Sequence, residues 1–421
     1  MTGEAAAVEA TVGETGANGA VTLPAGFVAA GRACGIKASG APDLAVVAAE
    51  PGPLPDRPGE ASDRAVPAAA VFTVNKAAAA PVQVSRAHLE QTGGWVAGVV
   101  INSGNANAAT GEPGMAAARR SAALVARQLN ARATEVLVCS TGLIGIPLPS
   151  ERLEAAIPAL VAGAGPTPER GREAAAAILT TDTRPRQAVV RGPGFTVGGM
   201  AKGAAMLSPH MATMLAVLTT DAQASPAELS AALRAAVAHS FNDLSVDGSC
   251  STNDTVVALA SGRAGPADPA ALADAMARVC GDLARQMAAD AEGATRVARI
   301  TVQGASDDAE AARAARRVAE SQLVQCSLHG ADPYWGRVVS ELGSAGVDFS
   351  LERVSVAYGE VTVCRDGVAT PLSDAQRAAL AAHLSGPTIE LCADLGLGSG
   401  RAQVLTTDLS PAYIAENMRT S

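Results

Sequence analysis

The chain has 421 residues, 48% of them apolar and only 2% aromatic, and a formal net charge of -9. That is enough for two domains or one large α/β unit with a core of small aliphatic side chains. The acidic balance, without a Lys/Arg cluster able to track phosphates, argues against nucleic acid as a partner, and no run approaches the roughly 18 to 20 unbroken apolar residues that a membrane helix needs. Seven scattered cysteines (34, 139, 250, 280, 326, 364 and 392) include no C-x-x-C pair, so they read as thiols of a reducing compartment without a zinc site.

In chain order, residues 1–20 carry three glutamates among Ala and Gly and no basic segment, which reads as a disordered leader and not as a signal peptide. Residues 113–130 and 150–163 have helical periodicity, with Pro158 expected to kink or end the second helix. Residues 134–142 read as a strand running into a turn. At 225–241, Ser225 as N-cap, Pro226 at the first helical position and Glu228 three residues on predict a capping box. At 268–287, Asp268 and Pro269 start a helix whose buried face is Leu272, Met276, Val279, Leu283 and Met287. Near the end, 353–367 and 387–409 each alternate about a glycine-containing turn and are expected to be hairpins. Strands paired this way among long amphipathic helices predict an α+β fold of layered sheets, not a doubly wound parallel sheet.

Two glycine-rich stretches do not support nucleotide binding. "GLGSGR" (396–401) lacks the third glycine of a dinucleotide loop and lies late between strands, and "GGMAKGAA" (198–205) lacks the phosphate-loop order. None of the five histidines, His88, His210, His239, His329 and His383, has a partner at metal-ligand spacing. His239 and His383 are expected to be cap or surface residues. A Ser-His-Asp hydrolase would want a G-x-S-x-G elbow, which is absent.

The residue that stands out is Thr213, at the head of the apolar run Met214-Leu215-Ala216-Val217-Leu218 and just after "SPHMA". Threonine at a strand edge is common, and His210, three residues earlier, is a weak candidate for a base. A threonine needs no histidine when its own α-amine is free to take the hydroxyl proton. That requires a cut between Ala212 and Thr213, and the small Ala212, the bend at Pro209 and the strand starting at Met214 suit one.

In these segments the chain resembles the ornithine acetyltransferases, also called arginine-biosynthesis bifunctional or glutamate N-acetyltransferases. The likeness rests on "PAGFVAAGRACGIK", "SGNANAATG" (103–111), "STGLIGIPLP" (140–149), "ILTTDTRPRQ" (178–187), "GGMAKGAAMLSPHMATMLAVLTTDA", "FNDLSVDGSCSTNDTV" (241–256), "DAEGATRV" (290–297) and "HGADPYWGRV" (329–338). The resemblance implies an αββα sandwich similar to the β-aminopeptidases. It implies self-cleavage between Ala212 and Thr213 into an α chain (21–212) and a β chain (213–421), assembled as α2β2. Thr213 matches the nucleophile, Thr141 and Gly142 the oxyanion hole, and Thr180, Lys202, Glu292 and Asn417 the substrate-binding positions, with Thr420 or Ser421 adding a terminal hydroxyl. The activity implied is acetyl transfer from N2-acetyl-L-ornithine to L-glutamate in a ping-pong scheme, in the cytoplasm, with no metal or bound cofactor and with acetyl-CoA as a co-substrate if the enzyme is bifunctional. The rival readings are an N-terminal-threonine amidase or aminopeptidase and an uncleaved metabolite-binding paralogue.

Beside these roles, Asp247, Asn253 and Asp254 are expected to be turn residues clustered about Gly248, Asn105 and Asn107 to shape a loop, and Trp335 to anchor a core. The segment reads Lys202-Gly203-Ala204-Ala205-Met206 where a second glycine is usual in the family, so the Ala205 methyl is expected where the backbone turns.

Overall fold

The computed structural model describes residues 19–206 and 214–418; the expected leader lies almost entirely outside them. The first part forms β1 (Phe27–Arg32), β2 (Leu44–Ala49), β3 (Val66–Phe72), α1 (Ala80–Gln91), β4 (Trp95–Val96), β5 (Gly98–Asn105), α2 (Gly111–Leu129), β6 (Val136–Leu143), α3 (Ser150–Ala162), α4 (Pro168–Ala177), β7 (Arg186–Gly192) and β8 (Phe195–Lys202). After residue 213 come β9 (Leu215–Gln223), α5 (Pro226–Ala238), β10 (Thr255–Pro266), α6 (Pro269–Ala289), β11 (Val297–Ala305), α7 (Asp308–Ala319), α8 (Gln322–His329) and α9 (Trp335–Gly343). The chain continues through β12 (Ser355–Tyr358), β13 (Val361–Arg365), β14 (Val368–Ala369), α10 (Asp374–Ser385), β15 (Thr388–Asp394), β16 (Gly400–Thr407) and α11 (Pro411–Asn417).

Two sheets, ordered β1-β2-β5-β6 and β4-β3-β10-β9-β8-β7, are stacked. Their strands are apolar on both faces, and successive residues serve different cores. Val47, Ile101 and Leu137 of the first sheet meet Leu215, Val217 and Val257 of the second between the sheets. Their neighbours Val46, Val100 and Val138 face α2 and α3, and Ala216, Leu218 and Val256 face α5 and α6. Helices outside and two sheets inside make the expected αββα sandwich.

The segments on either side of residues 207–213 are interleaved in the second sheet. Strand β9 lies between β8, antiparallel with Lys202 opposite Leu215, and β10, parallel with Thr255 opposite Leu215. Strand β10 in turn pairs with β3 from the first part of the chain.

A third sheet, β14-β13-β12-β15-β11-β16, has its own core with α7 to α10, including Ile300, Val318, Leu328, Leu380 and Val404. Sequence pattern alone does not set this sheet apart from the two stacked ones. The segment 387–409 is not a hairpin, because β11 lies between its strands, parallel to β15 and antiparallel to β16. Alternation marks a strand but not its neighbour. The 353–367 hairpin does form, β12 against β13.

The helix starts follow their caps. Ser225 and Glu228 form the reciprocal capping box of α5, and the Asp268 side chain accepts from the amides of Ala270 and Ala271 at the start of α6. His239 is the exposed C-cap of α5. Pro158 does not end α3, which continues to Ala162. Buried Ile157 and Leu160 on either side of the proline hold that turn against the first sheet. Trp335 is half-buried at the margin of the third core instead of enclosed within it. Among the described residues no helix is long and apolar enough to cross a membrane.

Packing of α6 on the second sheet is close because Gly199 of β8 has no side chain; a Cβ there would lie 2.9 Å from Val279 Cγ1 and 3.1 Å from Leu283 Cδ1. Leu283 is fully buried in that contact. Leu283→Ala is expected to lower stability by about 2–5 kcal/mol, measured by urea denaturation.

Candidate active site

The predicted residues gather where β6, β8 and β10 end or begin. Lys202, the last residue of β8, is buried, with Nζ 3.4 Å from Thr141 Oγ1 and 3.8 Å from Asp182 Oδ2. An ammonium buried at that depth needs an anion, and Asp182 supplies it. Asp182 Oδ1 accepts from Gly203 N at 2.7 Å and from the Arg186 guanidinium, while Oδ2 accepts from Thr180 N at 2.9 Å and Thr180 Oγ1 at 3.3 Å. Arg186, fully enclosed, reaches on to Asp290 Oδ2 at 2.6 Å. One carboxylate therefore sets the positions of Thr180, Lys202 and the glycine after it.

Burial alone would push the Asp182 carboxyl up, but the Lys202 and Arg186 cations and the Thr180 and Gly203 amides outweigh it and hold it well below the usual carboxylate range. Lys202 moves the other way from a paired surface lysine. Its complete enclosure lowers its pKa, and Asp182, Glu292 and Asp254 restore only part of the shift.

Thr141 is buried and Gly142 follows at the surface end of β6. Gly142 has φ +132°, and a Cβ there would meet Gly104 C at 2.3 Å and Asn105 N at 2.4 Å. Only glycine fits there, packed directly against the backbone of β5. Asn105 Nδ2 donates to Ile146 O (3.1 Å), and Asn107 Nδ2 donates to Gly114 O (3.0 Å), so both asparagines shape this loop as expected.

On the opposite side, Glu292 N donates to Ala204 O at 2.9 Å, and Asn417 Nδ2 donates to Glu292 Oε2 at 2.9 Å. Helix α11, which carries Asn417, rests on Gly293, where a Cβ would lie 2.2 Å from Tyr413 N. Thr141 thus touches Lys202 directly, Thr180 is linked to Lys202 through Asp182, and Glu292 and Asn417 join them through Ala204. Ala212, Thr213, His210, Thr420 and Ser421 lie outside the described residues.

The two ends that flank 207–213 are both held by carboxylates. Met206 N donates to Asp247 Oδ2 at 2.6 Å, and Met214 N donates to Asp254 Oδ1 at 3.0 Å. Asp247 also accepts from Ser249 N at 3.1 Å, the local turn expected of it, and from Tyr413 Oη at 3.2 Å. The other two also hydrogen-bond backbone, but across the fold and not within a local turn. Asn253 Nδ2 donates to Ala106 O (2.6 Å) and Ser140 O (2.9 Å), tying the second sheet to the first, and Asp254 reaches across to β9. The expectation for Ala205 is also displaced, since the left-handed residue is Met206, φ 52°.

Asp182, Arg186 and Asp290 were not singled out from the sequence. The signal available was Asp182 and Arg186 four apart in a segment without helical pattern, beside Thr180.

Asp182 contributes its stabilisation in full above the ordinary carboxylate range and loses it as pH falls toward its depressed folded value. Asp182→Asn leaves two enclosed cations without their shared anion and is expected to cost about 3–5 kcal/mol at pH 7. In urea denaturation the gap between wild type and variant should narrow below about pH 4.

The sequence is similar to known proteins along nearly its whole length. Residues 28–420 match the model of the ArgJ family. The arginine biosynthesis bifunctional protein ArgJ of Mycolicibacterium paratuberculosis is 48% identical over 405 residues, 94% of this chain and 95% of that protein. ArgJ 1 of Streptomyces clavuligerus is 44% identical over 399 residues, 94% of this chain and 98% of that protein. Among solved structures, the ornithine acetyltransferase of Mycobacterium tuberculosis complexed with ornithine is 44% identical, covering 46% of this chain and 96% of that one with TM-score 0.41. With a family model matched from residue 28 to residue 420 and near-half identity along full-length relatives, the chain belongs to the ArgJ family.

Proposed function

We propose that this protein is an acetyltransferase of arginine biosynthesis that moves the acetyl group of N2-acetyl-L-ornithine to L-glutamate through an acetyl ester on Thr213. The observation that carries the reading is the contact of Lys202 Nζ with Thr141 Oγ1 at 3.4 Å beside the glycine-only position Gly142. We read Lys202 as the cation for a substrate carboxylate and the neighbouring backbone as the oxyanion site.

Acyl transfer between two amines needs a group that holds the acetyl while one amine leaves and the other arrives. In this reading Thr213 Oγ first attacks the Ala212 carbonyl, shifting the acyl group from nitrogen to oxygen, and water hydrolyses that ester, giving an α chain that ends at Ala212 and a β chain that begins at Thr213. Thr213 Oγ attacks the acetyl carbonyl and its α-amine takes the hydroxyl proton, then passes it to the departing ornithine nitrogen. Donors at Thr141 and Gly142 stabilise the tetrahedral oxyanion, worth about 3 kcal/mol for one well-placed donor. Lys202 binds the α-carboxylate, and Glu292, steadied by Asn417, faces the cationic end of ornithine, with Thr180 and a hydroxyl from Thr420 or Ser421 completing the pocket. Glutamate then attacks the ester and leaves as N-acetylglutamate. The chemistry uses no metal or bound cofactor.

The interleaved second sheet supports this reading, because a cut within 207–213 leaves β8 and β9 hydrogen-bonded to one another. We propose an α2β2 assembly acting in the cytoplasm.

Thr213→Ala is expected to leave one uncut chain of 41.8 kDa and to reduce transfer to background, whereas Thr213→Ser keeps partial cleavage and activity. Denaturing intact-mass spectrometry and transfer assays with N-acetylornithine and glutamate read both, and acetyl-CoA replaces N-acetylornithine to test a second donor. An active Thr213→Ala enzyme, or hydrolysis of amides without transfer, overturns the proposal.

A further inference from the structure

Asp254 is the one buried carboxylate at the site without a complete set of partners. It is fully inaccessible, and Oδ1 accepts from Met214 N at 3.0 Å. Among the described residues Oδ2 has no hydrogen-bond partner. The nearby Thr73 hydroxyl donates elsewhere, to Ser251 O at 2.7 Å. A buried carboxylate oxygen left open costs free energy, and burial pushes this carboxyl well above the usual range, offset in part by the Met214 amide first, then by the Ser251 hydroxyl, Lys202 and the Thr73 hydroxyl nearby. Met214 is also held on its other side, its carbonyl accepting from Thr255 N at 3.1 Å. The residue that follows Thr213 is thus clamped on both backbone groups by Asp254 and Thr255, consecutive residues where β10 begins.

We propose that Asp254 is the positioning residue for the nucleophile, holding two successive backbone nitrogens, the Met214 amide with Oδ1 and the liberated α-amine of Thr213 with Oδ2. Successive backbone nitrogens lie about 3 to 3.6 Å apart, a spacing that the two oxygens of one carboxylate can serve together. Without such a hold a new chain terminus frays, and the amine that must take the hydroxyl proton would wander from it. The charged or titratable groups that bear on Asp254 from its surroundings are Lys202 of β8 and Cys250 of the preceding loop. This inference rests on the Thr213 reading above.

The test is Asp254→Asn beside Asp254→Glu, with chain cleavage read by intact mass and kcat and KM followed across pH. A carboxylate next to an amine favours its charged form, so its removal should lower the amine pKa and move the acidic limb of kcat down by about one to two pH units. In Asp254→Asn we expect kcat near neutrality to fall about 10- to 100-fold with KM nearly unchanged, while Asp254→Glu restores the position of the limb. A folded Asp254→Asn that stays uncut while Asp254→Glu is cut also supports the proposal. A cleaved Asp254→Asn with wild-type kcat and pH limb overturns it, and so does loss of the fold in both variants, which would make Asp254 a purely structural residue. Failure of the Thr213 reading is seen separately, as wild-type protein that remains one chain.

Discussion

The interaction on which the site depends is the enclosure of Asp182 between Lys202 and Arg186. Either cation alone, placed in a dry interior, would be neutralised or drawn toward water. With the carboxylate between them, and Asp290 beyond Arg186, the charges can stay inside. The remaining lone pairs of Asp182 are used on the amides of Thr180 and Gly203, so the same ion that makes a buried lysine tolerable fixes the loop before β7 and the chain leaving β8. Such networks add less to net stability than their Coulomb terms suggest, because desolvation offsets them. What they add is geometry, and here the geometry is that of a cation beside Thr141.

The rest of the fold delivers pieces to that point from distant parts of the sequence. Thr141 comes from the first sheet and Lys202 from the second, while Glu292 follows α6 and Asn417 lies on the last helix. Asn253, bonded to Ala106 O and Ser140 O, keeps the sheets in register at the end where these pieces meet. A core of small aliphatic residues suits this arrangement. Positions such as Gly199 let helix and sheet approach until bulk at one place is felt at the next.

Much of this was legible in the sequence wherever the governing physics is local. The caps of α5 and α6 depend on residues within one turn, and the face of α6 depends on periodicity alone; each formed as read. The failures are non-local. Nothing in 387–409 says that β11, about ninety residues earlier, lies between its two strands. Pro158 was judged on backbone rules, yet the burial of Ile157 and Leu160 prevails over them. For the site, the groups with special residue types, Thr141, Gly142, Thr180, Lys202, Glu292 and Asn417, were named by resemblance and are found together. The carboxylates that hold them were not, because an aspartate that bonds across the fold and one that ends a turn are the same letter. Asp254 and Asp247, seven residues apart, show both uses.

Strand β9 is hemmed on one side by β8 and on the other by β10, with β3 beyond. A single chain brings these strands together at an effective concentration set by its short connection. If the chain is cut within 207–213 as proposed, the same sheet can be rebuilt from the denatured state only by the meeting of two molecules. Refolding would then be second order in protein and slow at low concentration. The opened enzyme would persist because unfolding is slow rather than because refolding is quick. Its durability would be that of a lock closed during synthesis, renewed by making new chains and not by repairing old ones.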